Sequence, residues 1–344
     1  MELKQAFKYR NIWIGMAMLW IVYYHSQFWI DSVVFRSIKS LGYGGVDICL
    51  FASGIGCYYS LERDPDILRF LKRRIKRLAP AYLCFIIPWM QWKGTITELP
   101  VWAVIGNLLG IGTLASWEYH FNWYIGGLVV FYLCLPFLKQ ITDSCKKVRQ
   151  DFLVGLFLIA VSVSFWNAEG KNLIIVSRLP VLYAGTVCAK MAKQGYILLK
   201  RDYWMQLVTV TVGMVLILLC DNYLPDLLWT YGLKWYPFIM IAPGFCIFMS
   251  LAAAKMEKIR YLCRINQFLQ TVGRYSFELY LVHGFLYEGL MWGVMERYAH
   301  IPHNLLWLMT LPFVAAGTFL LNRIAGCLSH LLEKQWNKKS NSPA

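Results

Sequence analysis

A succession of long apolar runs, separated by short polar stretches, is the feature that most constrains how this 344-residue chain folds. Many of these runs hold enough residues to cross a hydrocarbon layer of ~30 Å as an α-helix. Hydrophobic residue types make up 58% of the chain and charged types only 15%, too few to cover the surface of a soluble protein. The sequence therefore predicts an all-α, polytopic membrane protein built as a helical bundle.

Ten of the apolar runs are predicted to span the bilayer as helices. They cover residues 12–30, 46–61, 78–93, 122–138, 152–168, 173–189, 204–221, 235–254, 268–295 and 305–328. A further apolar run, 101–115, is marginal in length for a crossing and lies between Pro100 and Trp117. It is predicted to be a re-entrant or interfacial helix on the outer side of the membrane.

The distribution of Lys and Arg predicts the orientation of the spans. If both termini are cytoplasmic and 101–115 does not cross, 26 of the 34 basic residues lie in cytoplasmic segments and 7 in outer segments. This asymmetry follows the enrichment of Lys and Arg in the cytoplasmic loops of membrane proteins. A crossing by 101–115 would instead move the basic loops at 139–151, 190–203 and 255–267 to the outside. We therefore predict ten spans with both termini cytoplasmic.

The chain is predicted to form a single transmembrane domain, residues 1–334, followed by a short polar cytoplasmic tail, 335–344. Its net charge of +15 is explained by the same loop asymmetry and by attraction to anionic lipids, so the lipid bilayer is the expected partner and nucleic acid is not. The ten cysteines are scattered without a C-x-x-C pair, as expected for packing residues. No cluster has zinc-ligand spacing, and no metal is expected.

His25 is an ionisable side chain within an apolar span, and such residues are costly and therefore candidates for function. It lies ~20 Å along the helix from the predicted inner face. An apolar environment favours the neutral imidazole, which can accept a proton from a hydroxyl, as a general base for alcohol acylation must. The alternative is an interhelical hydrogen bond that only aids packing.

The start of the second span places Asp47 near the predicted level of His25. A carboxylate there could orient the imidazole, as in catalytic triads, or could cap the amino terminus of its own helix. Ser53, Gly54 and Gly56 follow and form a small-residue face. Such a face permits close helix packing or leaves room for a thin substrate arm.

The inner loop 62–77 holds seven basic residues, more than orientation alone needs. Arg74 and Arg77 are three residues apart and project from the same face of a helix. Paired guanidinium groups at a membrane surface suit the phosphates of a nucleotide-containing donor. Ordinary positive-inside anchoring is the alternative.

Two later segments carry further polar residues at predicted membrane depth. The motif Gly-Arg-Tyr-Ser-Phe-Glu-Leu-Tyr-Leu-Val-His, residues 273–283, places Glu278 and His283 five positions apart, which is not the spacing of a helical metal pair. Arg178, near the outer start of the sixth span, needs a partner or an anionic ligand, or else anchors a helix end.

The order of these features resembles the acyltransferase-3 family of integral membrane O-acyltransferases over nearly the whole chain. The matching features, in chain order, are His25, the Val-Asp…Ser-Gly segment 46–54, Arg74-x-x-Arg77 with Leu-Ala-Pro 78–80, Trp-Tyr-Ile 123–125, Arg-Leu-Pro 178–180 and the motif 273–283.

The resemblance implies an enzyme that takes an acyl group, usually acetyl, from cytoplasmic acyl-CoA. The group passes to a hydroxyl of a carbohydrate, such as a surface polysaccharide or its lipid-linked precursor. Acyl-CoA is then a co-substrate, no cofactor stays bound, and the expected location is a bacterial inner membrane.

By motif match the resemblance also assigns residues. The catalytic residues are His25 and Asp47; the acyl-CoA-binding residues are Arg74, Arg77, Ser53 and Gly54; the acceptor or pocket residues are Trp123, Tyr124, Arg178, Tyr275, Glu278 and His283. The family commonly has Arg or Lys eleven positions before the catalytic histidine. Here that position is Ile14, and Arg10 lies one turn earlier.

Two other classes of function are considered. A transporter or flippase of a polysaccharide precursor would use the intramembrane His, Asp and Glu as proton-relay or substrate-contact groups, but the paired halves typical of transporters are not visible. A non-catalytic scaffold of polysaccharide export would not bind acyl-CoA.

Overall fold

The computed structural model describes the whole chain except Gln27 and residues 95–97, 116–122, 166–170, 225–226, 228–230, 291–296, 299–300 and 341–344. Most of the described residues are helical, and none of them forms a β-strand. One isolated β-bridge joins Glu2 to Ile197. The predicted all-α class is confirmed.

The α-helices of the described residues are numbered here in chain order. They are α1 (Leu3–Ala6), α2 (Arg10–His25), α3 (Val33–Ser40), α4 (Gly45–Arg63), α5 (Ile67–Trp92), α6 (Val101–Leu108), α7 (Gly112–Ala115), α8 (Trp123–Ser144), α9 (Val148–Val163), α10 (Lys171–Val176), α11 (Leu179–Lys193), α12 (Lys200–Tyr223), α13 (Phe238–Met256), α14 (Arg260–Arg274), α15 (Ser276–Gly284) and α16 (His303–Ser340).

Six helical segments among the described residues are long and apolar enough to cross a membrane. They are Val33–Arg63, Trp123–Ser144, Asn172–Lys193, Lys200–Tyr223, Phe238–Met256 and His303–Leu331. Of the other predicted spans, two correspond to α2 and α9, which have only 16 residues each, and one to α5, whose first half is strongly basic. The protein is therefore a multi-pass membrane protein, and the number of ten spans stays a prediction.

The predicted span 268–295 is not one continuous helix. α14 ends at Arg274 and α15 begins at Ser276, and a π-helical turn, Phe285–Leu290, follows α15. α14 packs against α2 so closely that a Cβ on either Gly15 or Gly273 would overlap the backbone of the other helix. Because this contact seats α14 on α2, it also brings the start of α15 close to α2.

The run 101–115 is divided between α6 and α7, with Gly110 between them at a φ of +72° that favours glycine. The eight residues of α6 are ~12 Å long as a helix, so neither piece can cross a layer of ~30 Å. α7 contacts α8 and α10. The structure therefore agrees with a run that does not cross; its location on the outer side stays a prediction.

The segments predicted to be cytoplasmic lie together at one end of the bundle. The Lys193 ammonium donates to the Glu62 carboxylate at 2.6 Å, and Lys139 lies 3.1 Å from the same carboxylate. Lys8 donates to Glu257 at 3.1 Å, and α1 packs against α11. We call this the basic end of the bundle; it comprises residues 1–11, 62–77, 139–151, 190–203 and 255–267.

Segments predicted to be on the outer side meet at the opposite end. The Tyr43 hydroxyl donates to the backbone oxygen of Lys234 at 3.1 Å. The Asn304 amide donates to the backbone oxygen of Trp29 at 2.6 Å and accepts from its N–H at 2.7 Å. These contacts support the predicted alternation of loops between the two ends.

The predicted polar tail 335–344 begins inside a helix. The backbone of α16 is helical from His303 to Ser340, a length of ~57 Å at 1.5 Å per residue. This exceeds the thickness of the hydrocarbon layer, so α16 extends beyond it.

Candidate functional site

A cavity of about 970 Å³ lies between α2, α4, α5, α8 and α15 and reaches the basic end of the bundle. We call it the basic cavity. One face of α2 lines it from Arg10 through Ile14 and Met18 to Ile21, a distance of ~17 Å along the helix axis. The lining is basic near Arg10 and apolar near Ile21. The cavity therefore offers a charged mouth and an apolar interior.

Three arginines, Arg10, Arg74 and Arg77, line the basic cavity. The charges of Arg74 and Arg77 both act on the Arg10 guanidinium, which lies against Gly56. Within the described part of the chain, none of the three forms an ion pair, and the Nε atoms of Arg10 and Arg74 have no hydrogen-bond partner. Such a cluster suits an anionic ligand with several acceptor oxygens.

Aromatic rings hold one of these guanidinium groups in place. Arg74 lies over the ring of Phe70, 5.0 Å from its centroid, and 5.9 Å from the centroid of Tyr132. Such cation–π contacts orient a guanidinium without neutralising its charge. The positive charge of Arg74 therefore remains open to a ligand in the cavity.

The neighbouring arginines of the same loop are neutralised. Arg69 and Arg73 both pair with Asp64, at 3.3 Å and 2.5 Å. The hydrogen bond from Arg73 is the main cause that holds the pKa of the Asp64 carboxyl below its usual range, so this carboxylate stays charged. The loop therefore contains two kinds of arginine, paired and unpaired, within one turn of each other.

A second, smaller cavity of about 170 Å³ contains His25, and we call it the histidine pocket. Its wall also includes Tyr24, Tyr43, Trp123, Ile174, Arg178, Lys234 and Trp235. Ile21, Val46 and Tyr280 line both this pocket and the basic cavity, so the two spaces adjoin across three side chains. The two cavities therefore lie next to each other between the arginines and His25.

His25 and His283 form a pair of imidazoles at the end of α2. The Nδ1 atom of His25 lies 3.1 Å from Nε2 of His283, and the ring centroids are 5.2 Å apart. His283 is 1% exposed, and its Nδ1 lies 2.9 Å from the backbone oxygen of Leu279. In the described residues, no group of three or more His, Cys, Asp or Glu is placed to hold a metal ion.

Asp47 does not orient His25, contrary to the sequence-based expectation. Its Oδ1 lies 3.6 Å from Nε of Arg178, both side chains are 1% exposed, and neither carboxylate oxygen accepts a hydrogen bond. Arg178 also donates to the backbone oxygen of Ile174 at 2.6 Å. The partner of Asp47 is thus Arg178, the N-cap residue of α11, because both side chains lie at the same depth in the bundle.

Arg178 is further enclosed by two indole rings. Its guanidinium carbon lies 4.6 Å from the ring centroid of Trp123 and 4.9 Å from that of Trp235. The sequence left open whether Arg178 needs a protein partner or an anionic ligand. The structure supplies the protein partner.

Ser53 and Tyr124, predicted for the donor and acceptor regions, both line the basic cavity. Gly54 does not. A Cβ on Gly54 would overlap the backbone oxygen of Leu182, and a Cβ on Gly185 would overlap the backbone oxygen of Phe51. Gly54 therefore serves the close packing of α4 on α11, and its assignment to acyl-CoA binding stays a prediction.

Tyr275 and Glu278, which were assigned to the acceptor pocket, line neither cavity. Glu278 accepts a hydrogen bond from the Asn322 amide of α16 at 3.1 Å. On the same helix, Phe277 and Tyr280 face the basic cavity. The rotation of α15 turns Glu278 towards α16 instead.

The residues of the histidine pocket that sequence reasoning missed include Tyr43, Lys234 and Trp235. They come from loops far apart in the chain, and none belongs to a matched motif. Lys234 carried a weak signal, because it is one of the few basic residues in the predicted outer segments.

The helical bundle and its basic cavity define a multi-pass membrane protein with an internal cavity lined by arginines. A family model described as an acyltransferase domain matches residues 13–323, nearly the whole chain. The protein therefore belongs to the acyltransferase-3 family, which indicates acyltransferase activity. The comparisons with curated proteins and with solved structures give no match.

Proposed function

We propose that the protein moves an acyl group, most simply acetyl, from cytoplasmic acyl-CoA to a hydroxyl of a carbohydrate. The acceptor is a surface polysaccharide or its lipid-linked precursor, and the location is a bacterial inner membrane. The observation that carries this proposal is the basic cavity, which extends from Arg10, Arg74 and Arg77 to the boundary of a pocket lined by His25.

The donor enters from the basic end in this proposal. Its phosphates bind Arg10, Arg74 and Arg77, since guanidinium groups form charge-assisted hydrogen bonds to phosphate oxygens. The pantetheine arm then lies along the apolar face of α2, past Ile14 and Met18. Arg10 and His25 are ~22 Å apart along α2, a gap that a long, thin arm can span.

The acceptor occupies the histidine pocket. Carbohydrate rings stack on aromatic faces and place their hydroxyls against polar groups, and the wall of this pocket supplies both in Trp123, Trp235 and Lys234. A hydroxyl placed here lies beside His25, while the thioester approaches from the other side of Ile21, Val46 and Tyr280. The two substrates thus enter from opposite ends.

The reaction requires one base and no acyl-enzyme. His25 accepts the proton of the acceptor hydroxyl as the oxygen attacks the thioester carbonyl carbon. The carbon–sulfur bond then breaks, and the thiolate of CoA takes the proton back from His25. The products are the ester and CoA, and the imidazole returns to its neutral form.

Acyl transfer by the purified protein tests the proposal. We expect label from radioactive acetyl-CoA to appear on a carbohydrate in a panel of sugar and polysaccharide acceptors, and expect His25→Ala to abolish it, a loss of roughly 10²-fold or more. His303→Ala, at the exposed start of α16, is the matched control and should behave as wild type.

Two results would contradict the proposal. Transfer that survives in His25→Ala removes the assigned base. Failure of the wild-type protein to bind acetyl-CoA favours the non-catalytic scaffold, and acceptor movement across vesicles without transfer favours the transporter.

A further inference from the structure

A groove at the basic end of the bundle is separate from both cavities described above. It has a volume of about 610 Å³ and lies between the end of α8 and the start of α9. We propose that this groove binds an anionic phospholipid, with the phosphate at the turn between the two helices and an acyl chain along their exposed apolar faces. The proposed acyl transfer uses none of the residues that line the groove.

The lining of the groove changes from polar to largely apolar with distance from the turn. Ser144 and Gln150 line it beside the turn. About one helical turn further along α8 and α9, the lining residues are Ile141, Leu153 and Val154, together with Gln140. This gradient matches a phospholipid, whose polar headgroup is followed by apolar acyl chains.

The turn between α8 and α9 lies at a boundary of the membrane. α8 is long and apolar enough to cross the bilayer and ends at Ser144, and α9 begins at Val148. The side-chain oxygen of Gln150 accepts from the backbone N–H groups of Lys146 and Lys147, at 2.7 and 3.0 Å. Because Gln150 lines the groove, these contacts place both lysines at its edge.

Three basic residues surround the turn, and we call them the turn cations: Lys146, Lys147 and Arg149. All three are exposed, and in the part of the chain that the structure describes none of them forms an ion pair. The two carboxylates of loop 139–151 are paired with other lysines, Asp143 with Lys139 at 2.6 Å and Asp151 with Lys190 at 2.7 Å. The turn therefore presents three unbalanced positive charges, which attract the phosphate of an anionic lipid.

A buried network holds the turn in shape. The Lys190 ammonium of α11 donates to the backbone oxygens of Thr142 and Cys145, at 3.0 and 3.2 Å, and to the Asp151 carboxylate at 2.7 Å. The Tyr183 hydroxyl, also of α11, donates to Asp151 at 3.1 Å. Since both helices are fixed to α11, the groove between them exists before a ligand binds, and binding requires little ordering of the chain.

Exposed apolar residues continue the groove away from the turn. On α8, Leu133, Phe137 and Ile141 follow at four-residue spacing, and on α9, Leu153 and Phe157 do the same; each is at least 40% exposed. Residues four apart lie on one side of a helix, so each helix carries an apolar stripe that begins at the groove. A lipid acyl chain contacts such stripes, whereas a soluble phosphate compound would use only the cations.

Photo-crosslinking locates the bound lipid. The wild-type protein is placed in nanodiscs of phosphatidylcholine that contain phosphatidylglycerol with a photoactivatable group in one acyl chain, and the labelled peptides are identified by mass spectrometry. We expect label to concentrate in residues 133–157, and excess unlabelled phosphatidylglycerol to displace it. Labelling spread evenly over the lipid-facing helices would overturn the proposal, as would equal displacement by phosphatidylcholine.

Removal of the turn cations should weaken lipid binding. The triple variant is Lys146→Gln, Lys147→Gln, Arg149→Gln. We expect its affinity for phosphatidylglycerol, measured by native mass spectrometry in an uncharged detergent, to fall roughly 100-fold. The matched control removes three exposed charges from another loop of the same end: Lys255→Gln, Lys258→Gln, Arg260→Gln. The control should bind as wild type, and an equal loss in both proteins would show that only the overall charge matters.

Two further measurements complete the test. Glycerol phosphate, a soluble compound with the same phosphate group, should bind far more weakly than phosphatidylglycerol; equal affinity would make the groove a phosphate site and overturn the lipid proposal. The triple variant should unfold at the same denaturant concentration as wild type, because its substituted side chains are exposed. If it does not fold, the crosslinking of the wild-type protein decides. Absence of acyl transfer would end the proposed function and leave the lipid site standing.

Discussion

The protein contains two arginine sites that differ in how their charge is balanced. Arg178 is fully enclosed, paired with Asp47 and stacked between two indoles. Arg74 and Arg77 face the basic cavity, and no carboxylate in the described part of the chain pairs with them. The comparison shows that burial of an arginine does not by itself mark a ligand site. An enclosed pair holds helices together, whereas unpaired charge beside a cavity is available to bind.

The largest expected effect comes from removing the carboxylate of the enclosed pair. Asp47→Leu leaves the Arg178 charge buried without a partner, which should lower the free energy of unfolding by about 3–5 kcal/mol. Chemical unfolding of the protein in detergent micelles measures this. The double variant Asp47→Leu with Arg178→Leu removes both charges and should regain most of the loss. A single variant as stable as wild type would show that Asp47 and Arg178 are not a pair.

The unpaired arginines should affect binding and leave stability unchanged. Arg74→Ala combined with Arg77→Ala should weaken acetyl-CoA binding roughly 100-fold or more, because each charge-assisted hydrogen bond contributes about 1.5–3 kcal/mol. Calorimetry with the purified protein measures the affinity. The matched control is Arg69→Ala, from the same loop but paired with Asp64, and its affinity should match wild type. If Arg69→Ala loses as much affinity for acetyl-CoA as the Arg74→Ala, Arg77→Ala double variant, the loop acts only through its total charge.

Arg10 tests whether a shifted arginine replaces the basic residue that the family commonly carries at the position of Ile14. Arg10→Met should weaken acetyl-CoA binding by about tenfold, since one guanidinium is lost from the cluster. Ile14 lines the same cavity, so adding Ile14→Arg to that variant should restore part of the affinity. If the double variant binds acetyl-CoA no better than Arg10→Met alone, an arginine at position 14 does not replace Arg10.

The smallest expected effect is that of ionic strength. Raising the salt concentration from about 0.05 to about 0.5 M should raise the KM for acetyl-CoA several-fold, because the Debye length falls from ~14 Å to ~4 Å and charges at an open cavity are screened more strongly. The unfolding free energy that depends on the Asp47–Arg178 pair should change little, since that pair is shielded from solvent. A KM that is independent of salt would argue against a phosphate-binding role for the arginines.

The sequence predicted the helical class, the non-crossing run 101–115 and the grouping of the basic loops, because length, hydropathy and charge decide these features. It did not predict which side chains meet. Asp47, Arg178 and His25 all fall near one depth, and depth alone leaves two partners open for the carboxylate. The choice depends on the rotation of each helix about its axis, which the hydropathy and charge patterns do not determine. The same holds for Gly54 and Glu278. Their positions in the motifs match the family, but the motifs do not show which side of the helix faces a cavity.

The helix break after Arg274 had a related cause. The run 268–295 is apolar enough for one span, and the turn at Tyr275 is set by how α14 packs on α2 through Gly15 and Gly273. The pairing of His283 with His25 depends on that packing. His283 lies 258 positions after His25 in the chain. The sequence therefore identified His283 as an unusual residue at membrane depth, but not as a neighbour of His25.

Ile21, Val46 and Tyr280 form a septum between the basic cavity and the histidine pocket, whose wall includes Tyr43 and Lys234 from the opposite end of the bundle. In the proposed reaction, the acetyl group passes from CoA to the carbohydrate across this septum. CoA stays in the basic cavity, and the carbohydrate stays in the histidine pocket. Acetyl groups made inside the cell would thus be exported without a channel, and the width of the septum, rather than the arginines, would decide how long an acyl chain can follow.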